Sequence, residues 1–457
     1  MRKTANLSCL SILLIVALLL SLIPSMSVRP VSAHPGKMTW SIVDTPSTGN
    51  NIIVSPSEVN VIAIGFDDRT FYAVDIPGDP PGGTYPDGKL YKSTDGGVTW
   101  TVELGVNLTT AGANLPVWNL AVAPDDVNFL VAVTDGTGAP NGPLSVFASE
   151  DGGANWENTS FPPLAVGEYI SCVDISVTYG SNNRDIAVGT RDGAGGGTIW
   201  VLKAGVGSPS WADQVLPASD VVALKFSPTY TSDSSLVVIS SAADTRLHLG
   251  SRDIDANTTN WNIVGGYPVL IHDGGYAGTS PIATDIITAD LELPSDFSGT
   301  DHNFRRFYVS TDTTAAGVQS GVYRVDNTIA YWIKPPTTAP TAGRISSIAY
   351  RGTYAEGVLL AGEVIAGAFA PNPSSFGVYI WRTSNPNTTV GTPTWLSSEA
   401  RKSPTGGVIS GFANAQVAWS HDGARAYCGT SSANPTTGGT GPAPQWPFAW
   451  TNGVQWD

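Results

Sequence analysis

Apolar positions in this chain fall in short runs separated by clusters of Gly, Pro, Asn, Asp and Ser, the pattern of β-strands joined by turns. One long apolar run, Leu10 to Ile23, breaks that pattern near the N-terminus. No later stretch carries apolar residues at the 3.6-residue spacing of an amphipathic helix, so the folded part is expected to be all-β.

The runs repeat. An apolar strand, often ending in a turn with Pro, Asp or Ser, occurs as Ile52–Pro56, Leu120–Asp125, Val173–Val177, Val222–Pro228, Asp285–Thr288, Ser347–Tyr350 and Val417–Asp422. A second landmark is a tryptophan at intervals of about 50 to 70 residues: Trp100, Trp156, Trp211, Trp261, Trp332 and Trp395. The last repeat closes on Gly453-Val454-Gln455-Trp456 and then lacks a return strand, whereas Met38–Val43 at the other end resembles Val98–Glu103. Closing the last sheet with the N-terminal strand removes the open junction that a solenoid would have to cap. The expected architecture is a seven-bladed β-propeller of four-stranded antiparallel blades, with the N-terminal strand closing the last blade.

Composition narrows the setting. Arg2 and Lys3 precede the apolar run and Val31-Ser32-Ala33 follows it, so residues 1–33 read as a secretory signal peptide and 34–457 as one propeller domain. The chain is expected to be exported, to the extracellular space or cell surface, with no membrane insertion once the signal is removed. The formal charge of −15 becomes −18 without Arg2, Lys3 and Arg29, and such acidity disfavours nucleic acid and anionic lipid as partners. The 50 Gly, 33 Pro and 14 Trp, against 13% charged residues, suit many strands and turns. Cys172 and Cys428 would lie in non-adjacent blades, beyond the ~7 Å reach of a disulfide, and are expected to be free.

Two of the tryptophans close a fuller motif: Ser93-x-Asp95-x-Gly97-x-x-Trp100 and Ser149-x-Asp151-x-Gly153-x-x-Trp156. The Asp carboxylate can accept backbone N–H groups of its own turn, Gly can take a positive φ, and Trp can pin the turn to its surroundings. Gly207–Trp211 and Gly391–Trp395 are shortened proline versions, and Ser251-Arg252-Asp253 ahead of Trp261 is a degenerate one. The two full motifs resemble the Asp-box, or bacterial neuraminidase repeat. The resemblance implies a hairpin between the third and fourth strands of a propeller blade, at the rim, in a superfamily that includes sialidases, xyloglucanases, sortilin-type receptors and a photosystem II assembly factor. Because enzymes and binding proteins share the motif, it implies fold rather than activity.

Chemistry has to be sought elsewhere in the chain. A sialidase needs three arginines around a carboxylate, and Arg69, Arg191, Arg305, Arg306 and Arg344 are candidates whose spacing does not demand convergence. The family's Arg-Ile-Pro motif is missing: Arg69 is followed by Thr70-Phe71, and the Arg-Ile pair at Arg344-Ile345 lies late in the chain. An inverting glucanase needs two carboxylates about 6.5–9.5 Å apart, for which Asp125, Asp126, Asp174, Asp220 and Asp285 are candidates beside inner strands. His34, His248, His272, His302 and His421 have no metal-ligand spacing, and Asp253-x-Asp255-x-Asn257 lacks the later Gly and Glu of a calcium loop. Gly193–Gly197 has no nucleotide-loop Lys-Ser/Thr. Asn107, Asn158, Asn257 and Asn387 begin glycosylation acceptor triplets. No catalytic, cofactor or metal residue is assigned. The expected function is a non-catalytic binding or cell-surface module with a glycan or protein ligand at a propeller face; the alternative is a divergent glycoside hydrolase.

Overall fold

A computed structural model describes residues 40–42, 59–75, 89–136, 142–271, 286–313, 321–334, 343–366, 376–388, 392–400, 412–432 and 454–456, apart from 98, 101, 218, 243, 424 and 425. The expected signal peptide, His34, His272 and Asp285 lie outside these residues.

The described strands pair into antiparallel sheets in chain order. Sheet one holds Val59–Ile64, Phe71–Asp75, Lys89–Ser93 and Val102–Glu103; sheet two holds Asn114–Ala123, Asp126–Asp135, Pro143–Ser149 and Glu157–Asn158. Sheet three runs Tyr169–Ile175, Arg184–Arg191, Ile199–Ala204 and Trp211–Asp213; sheet four runs Asp220–Phe226, Ser235–Ser241, Thr245–Asp253 and Thr258–Trp261. Sheet five holds Ile286–Glu292, Arg306–Thr313, Gly321–Asp326 and Ile329–Lys334; sheet six holds Gly343–Gly352, Gly357–Ala366, Phe376–Thr383 and Leu396–Ala400.

The structure corrects the expectation of a seven-bladed propeller of four-stranded blades. Six blades, not seven, are built from consecutive strands. The strands Phe412–Trp419, Ala426–Ser432 and Val454–Trp456 form instead a composite sheet with Trp40–Ile42 from the other end of the chain, in the register Trp40↔Trp456, Ser41↔Gln455 and Ile42↔Val454. Nor is every blade four-stranded, because Val269–Leu270 adds to Thr245–Asp253 in sheet four. The fourth strand, Thr258–Trp261, covers only Gly250–Asp253, so Arg246 and Leu247 present a bare edge that the extra strand pairs.

Consecutive sheets pack through their first strands, which are therefore innermost. The middle strands are buried on both faces, so they read as unbroken apolar runs rather than alternating ones. Leu130 and Ala132 face sheet one's Tyr72 and Leu90, whereas Val131 and Val133 face sheet three's Ile186 and Val188. In the same way Leu236 and Val238 pack toward Ala187 and Val201, and Val237 and Ile239 toward Phe307 and Val309. The core is thus a series of inter-sheet layers rather than one central mass.

Polar staples reinforce these layers. Arg252 and Asp185, both with fully buried side chains, join sheets four and three at 2.9 Å. Tyr179 and Tyr230 hydroxyls donate to the same carboxylate at 2.6 Å, and Gln214 and Asn257 accept from the guanidinium, so the buried charges are paired and hydrogen-bonded. Lys334 of sheet five reaches Glu363 of sheet six at 3.0 Å beneath the Trp381 ring. The composite sheet meets sheet one where the Asp68 carboxylate accepts the His421 and Asp422 N–H groups and Phe66 sits edge-on to His421, 6.3 Å between centroids.

Candidate functional site at the central cavity

Both full Ser-x-Asp-x-Gly-x-x-Trp motifs sit between the third and fourth strands of sheets one and two, away from the innermost strands. Ser93 Oγ donates to Asp95 Oδ1 (2.8 Å) and accepts from Gly97 N–H (3.0 Å); Asp95 in turn accepts from Thr99 N–H (2.8 Å) and Thr99 Oγ1 (2.5 Å). Gly97 takes φ 84°, and its carbonyl accepts the Trp100 indole N–H at 3.0 Å. Ser149, Asp151, Gly153, Asn155 and Trp156 repeat the arrangement bond for bond. The tryptophans of the reduced motifs do something different. Trp211, Trp261 and Trp395 donate to the carbonyls of Thr159, Gln214 and Ile333, at the outer edge of the preceding sheet. A full motif closes its own turn; a reduced one fastens its blade to the neighbour.

The arginine candidates do not converge. Arg69 is exposed. Arg191 donates to Ile286 O (2.8 Å), Arg305 to Gly299 O (3.1 Å) and Asn327 (2.7 Å), and Arg306 to Asp326 and Tyr354 O (both 2.5 Å). The Arg344 side chain lies outside the described residues. Of the carboxylates, Asp125 accepts Thr178 N–H (2.9 Å) and pairs with Arg184, to which Asp126 also comes within 3.8 Å, so both tie sheet two to sheet three. Asp220 accepts the Asp192, Gly193 and Gly195 N–H groups, which is what the glycine-rich loop is wrapped around.

The remaining candidates are likewise structural in their contacts. His248 is buried between Ser240 (2.9 Å) and Asn262 (3.0 Å), and burial pushes its pKa down to about 4. His302 is exposed and His421 lies at the junction with sheet one. Asp253 caps its own turn through Ala256 N–H, while Asn257 accepts from Arg252. Among the described residues, no three His, Cys, Asp or Glu side chains are grouped as metal ligands would be. Cys172 is a free thiol that burial pushes up to about 12; the Cys428 side chain lies outside the described residues.

Among the described residues, Asp174 is the carboxylate candidate that borders a cavity of about 340 Å³ at the C-terminal ends of the innermost strands, and His421 lines it as well. Its wall is mainly apolar, with Ile64, Phe66, Val122, Ile175, Phe226 and Trp419 among the lining residues, and Lys225 joins Asp174 there. A β-bulge places these polar groups. The ladder skips Ser171, Val222 and Ile287 in the innermost strands of sheets three, four and five. Three residues beyond each bulge come Asp174, Lys225 and Asp290, which therefore occupy equivalent positions in neighbouring sheets. Glu292 follows Asp290 by two residues, on the same side of its strand.

Two of these carboxylates cover backbone groups at a sheet edge. An innermost strand has no partner on its axial side, so its inward N–H groups need acceptors. Asp174 Oδ2 accepts Phe226 N–H at 2.8 Å, and Asp290 Oδ2 accepts Ile348 N–H at 3.0 Å. Ser347 does the same for Val417 N–H at 2.9 Å. Glu292 instead takes the Lys225 ammonium on Oε1 at 2.7 Å, and among the described residues its Oε2 accepts nothing.

The Lys225 and Glu292 side chains keep 35% and 20% of their exposure, but the surrounding wall restricts hydration. Burial pushes Glu292 up to about 7 and Asp174 up to about 6, against the attraction of Lys225. Burial also works against the Lys225 charge, yet Glu292, Asp290 and Asp174 outweigh it and hold the ammonium above the ordinary lysine value. Lys225, Asp290 and Glu292 were not singled out from sequence. The strand expected to end at Thr288 runs on to Glu292, and the shared bulge position appears only once the register is known.

No protein-family model and no curated protein matches the sequence. Among solved structures, YCF48 bound to D1 peptide is similar with a TM-score of 0.46 and 13% identity, covering 91% of this chain and 94% of that one. The WD40 domain of SCAP from fission yeast gives 0.45 and 10%, covering 92% and 98%. An α-L-arabinofuranosidase, Arb93A from Fusarium graminearum, gives 0.40 and 13%, covering 76% and 97%. These values assign no activity or ligand to this chain.

Proposed function

We propose that the protein is a non-catalytic binding module, exported by residues 1–33, whose 34–457 domain presents the central cavity to a ligand outside the cell. The full Ser-x-Asp-x-Gly-x-x-Trp motifs make an Asp-box propeller the family reading, with the motifs serving the rim and not the site. One observation carries the binding reading. The carboxylate in the cavity wall, Asp174, is engaged on the Phe226 N–H, and on the neighbouring innermost strand Asp290 accepts the Ile348 N–H while Glu292 holds Lys225. An inverting hydrolase needs one carboxyl free to protonate a leaving group and another free to activate water.

A glycoside hydrolase is the second reading, because Glu292, bonded to Lys225 of the cavity wall and pushed up to about 7 by burial, has the acidity of a general acid. Turnover of a panel of aryl glycosides, including sialosides, arabinofuranosides and β-glucans, separates the two. The binding reading expects no turnover above a heat-treated control. Hydrolysis abolished by Glu292→Gln or Asp174→Asn would overturn it.

A further inference from the structure

Two kinds of surface meet in the cavity wall. Most of it is apolar, and each of sheets one to four supplies residues two apart in the chain, as with Ile64 and Phe66 or Phe226 and Pro228. The polar wall residues are Asp174, Lys225, Ser227 and His421. Ser227 donates to Asp233 at 2.8 Å, and Asp174 Oδ2 already accepts Phe226 N–H. Lys225 is different. An ammonium has three N–H donors, of which Glu292 takes one at 2.7 Å, and among the described residues no acceptor meets the other two. The Lys225 side chain keeps 35% of its exposure in the wall, so those donors are open to whatever fills the void. Phe66, also in the wall, is 41% exposed, and the void opens to solvent on its side. About 340 Å³ accepts a molecule of roughly ten to fifteen non-hydrogen atoms, at the lower end of ordinary ligand pockets.

We propose that the cavity binds a small neutral molecule with one oxygen acceptor at the end of an apolar body, the oxygen taking an N–H of Lys225 and the body packing among Phe66, Phe226 and Trp419. The assignment rests on the binding reading above and names its ligand class. A carboxylate is disfavoured because the Lys225 charge is already paired with Glu292 and Asp174 stands in the same wall. A cation would lie beside the Lys225 ammonium, and the one carboxylate in the wall is already engaged on Phe226 N–H. A sugar would bring a hydroxyl on nearly every carbon to a mainly apolar wall and leave most of them without partners. A single oxygen on an apolar body matches both kinds of surface.

The test uses four probes of one shape, 4-phenylbutanol, 4-phenylbutanamide, 4-phenylbutanoate and 4-phenylbutylammonium, titrated into the full-length protein by calorimetry. Work at about pH 8 keeps Asp174 and Glu292 ionised, above the values to which burial pushes them. The two neutral probes are expected to bind at least about tenfold more tightly than either charged one. Replacing the ion pair as a unit, Lys225→Met with Glu292→Met, leaves no unpaired charge behind and should weaken both neutral probes by at least about tenfold, the size of a hydrogen bond to a charged group. Phe66→Ala, at an exposed position, should weaken the same probes with the melting temperature unchanged, which keeps the test decisive if the paired replacement fails to fold. An acetyl-Ala-Phe-Ala-amide arm tells a peptide carbonyl from a free small molecule; binding of the peptide more tightly than the amide overturns the small-molecule assignment. Preference for either charged probe, neutral binding that survives the paired replacement, or no binding by any probe overturns it as well. Absence of binding without glycoside turnover leaves the binding-module reading standing, whereas neutral-probe binding accompanied by turnover refutes that reading and keeps the ligand class.

Discussion

At the scale of single residues, position within the fold decides what an aspartate does. Asp95 and Asp151 lie in rim turns and each satisfies a backbone N–H and a neighbouring side chain. Asp174 and Asp290 lie on innermost strands and satisfy the next sheet's N–H groups. Asp185 is buried whole and balances Arg252. All are short acceptors near the backbone, and only their surroundings tell them apart. Asp95→Ala is expected to lower stability by about 1–2 kcal/mol through lost turn bonds. Urea unfolding measures this loss. The motif's Ser, Asp, Gly and Trp were legible in sequence because turn chemistry is local. The opposite use of Trp211, Trp261 and Trp395 was not, since their acceptors belong to another sheet.

At the scale of elements, the composite sheet depends most on distant parts of the chain. Trp40–Ile42 and Val454–Trp456 are each three residues long, and the second is hydrogen-bonded on both sides, to Ala426–Ser432 and to the N-terminal strand. Removing the N-terminal strand bares one edge of Val454–Trp456. A chain begun at Val43 should exchange the amide hydrogens of Val454–Trp456 at least about tenfold faster, with sheets three and four unaffected. Hydrogen exchange read by mass spectrometry checks this; equal exchange in the two chains would mean that the pairing adds no stability. The similarity of Met38–Val43 to Val98–Glu103 signalled a displaced strand. The fifth strand of sheet four carried no such signal, because Val269–Leu270 is too short to stand out and joins only where another strand ends early.

For the whole molecule, the titration of buried groups should shape stability in two opposed ways. His248 is held low, near 4, so its contribution is present above the ordinary histidine value and is lost as pH falls through the folded value. Asp174 and Glu292 are held high, so theirs is complete below the ordinary carboxylate range and is lost as pH rises through about 6 and about 7. Asp174→Asn keeps an oxygen for Phe226 N–H and removes the titration. The wild-type melting temperature, relative to this variant, should therefore fall between pH 4.5 and pH 7.5. A difference that stays constant across that range would show that Asp174 does not titrate there.

What the sequence determined by itself is the local and periodic part of this protein: all-β strands, turn chemistry at the two full motifs, and a repeat whose last member borrows from the N-terminus. Those features rest on backbone preferences and on spacing, which a linear chain displays. Tertiary structure alone decided that six blades rather than seven are built from consecutive strands, that sheet four takes a fifth strand, and that Asp174 and Lys225 line one cavity with Glu292 bonded to the lysine. The physical reason is register: a single bulge in the innermost strands of sheets three, four and five moves every later side chain to the other face, and the residues so aligned lie far apart in the chain.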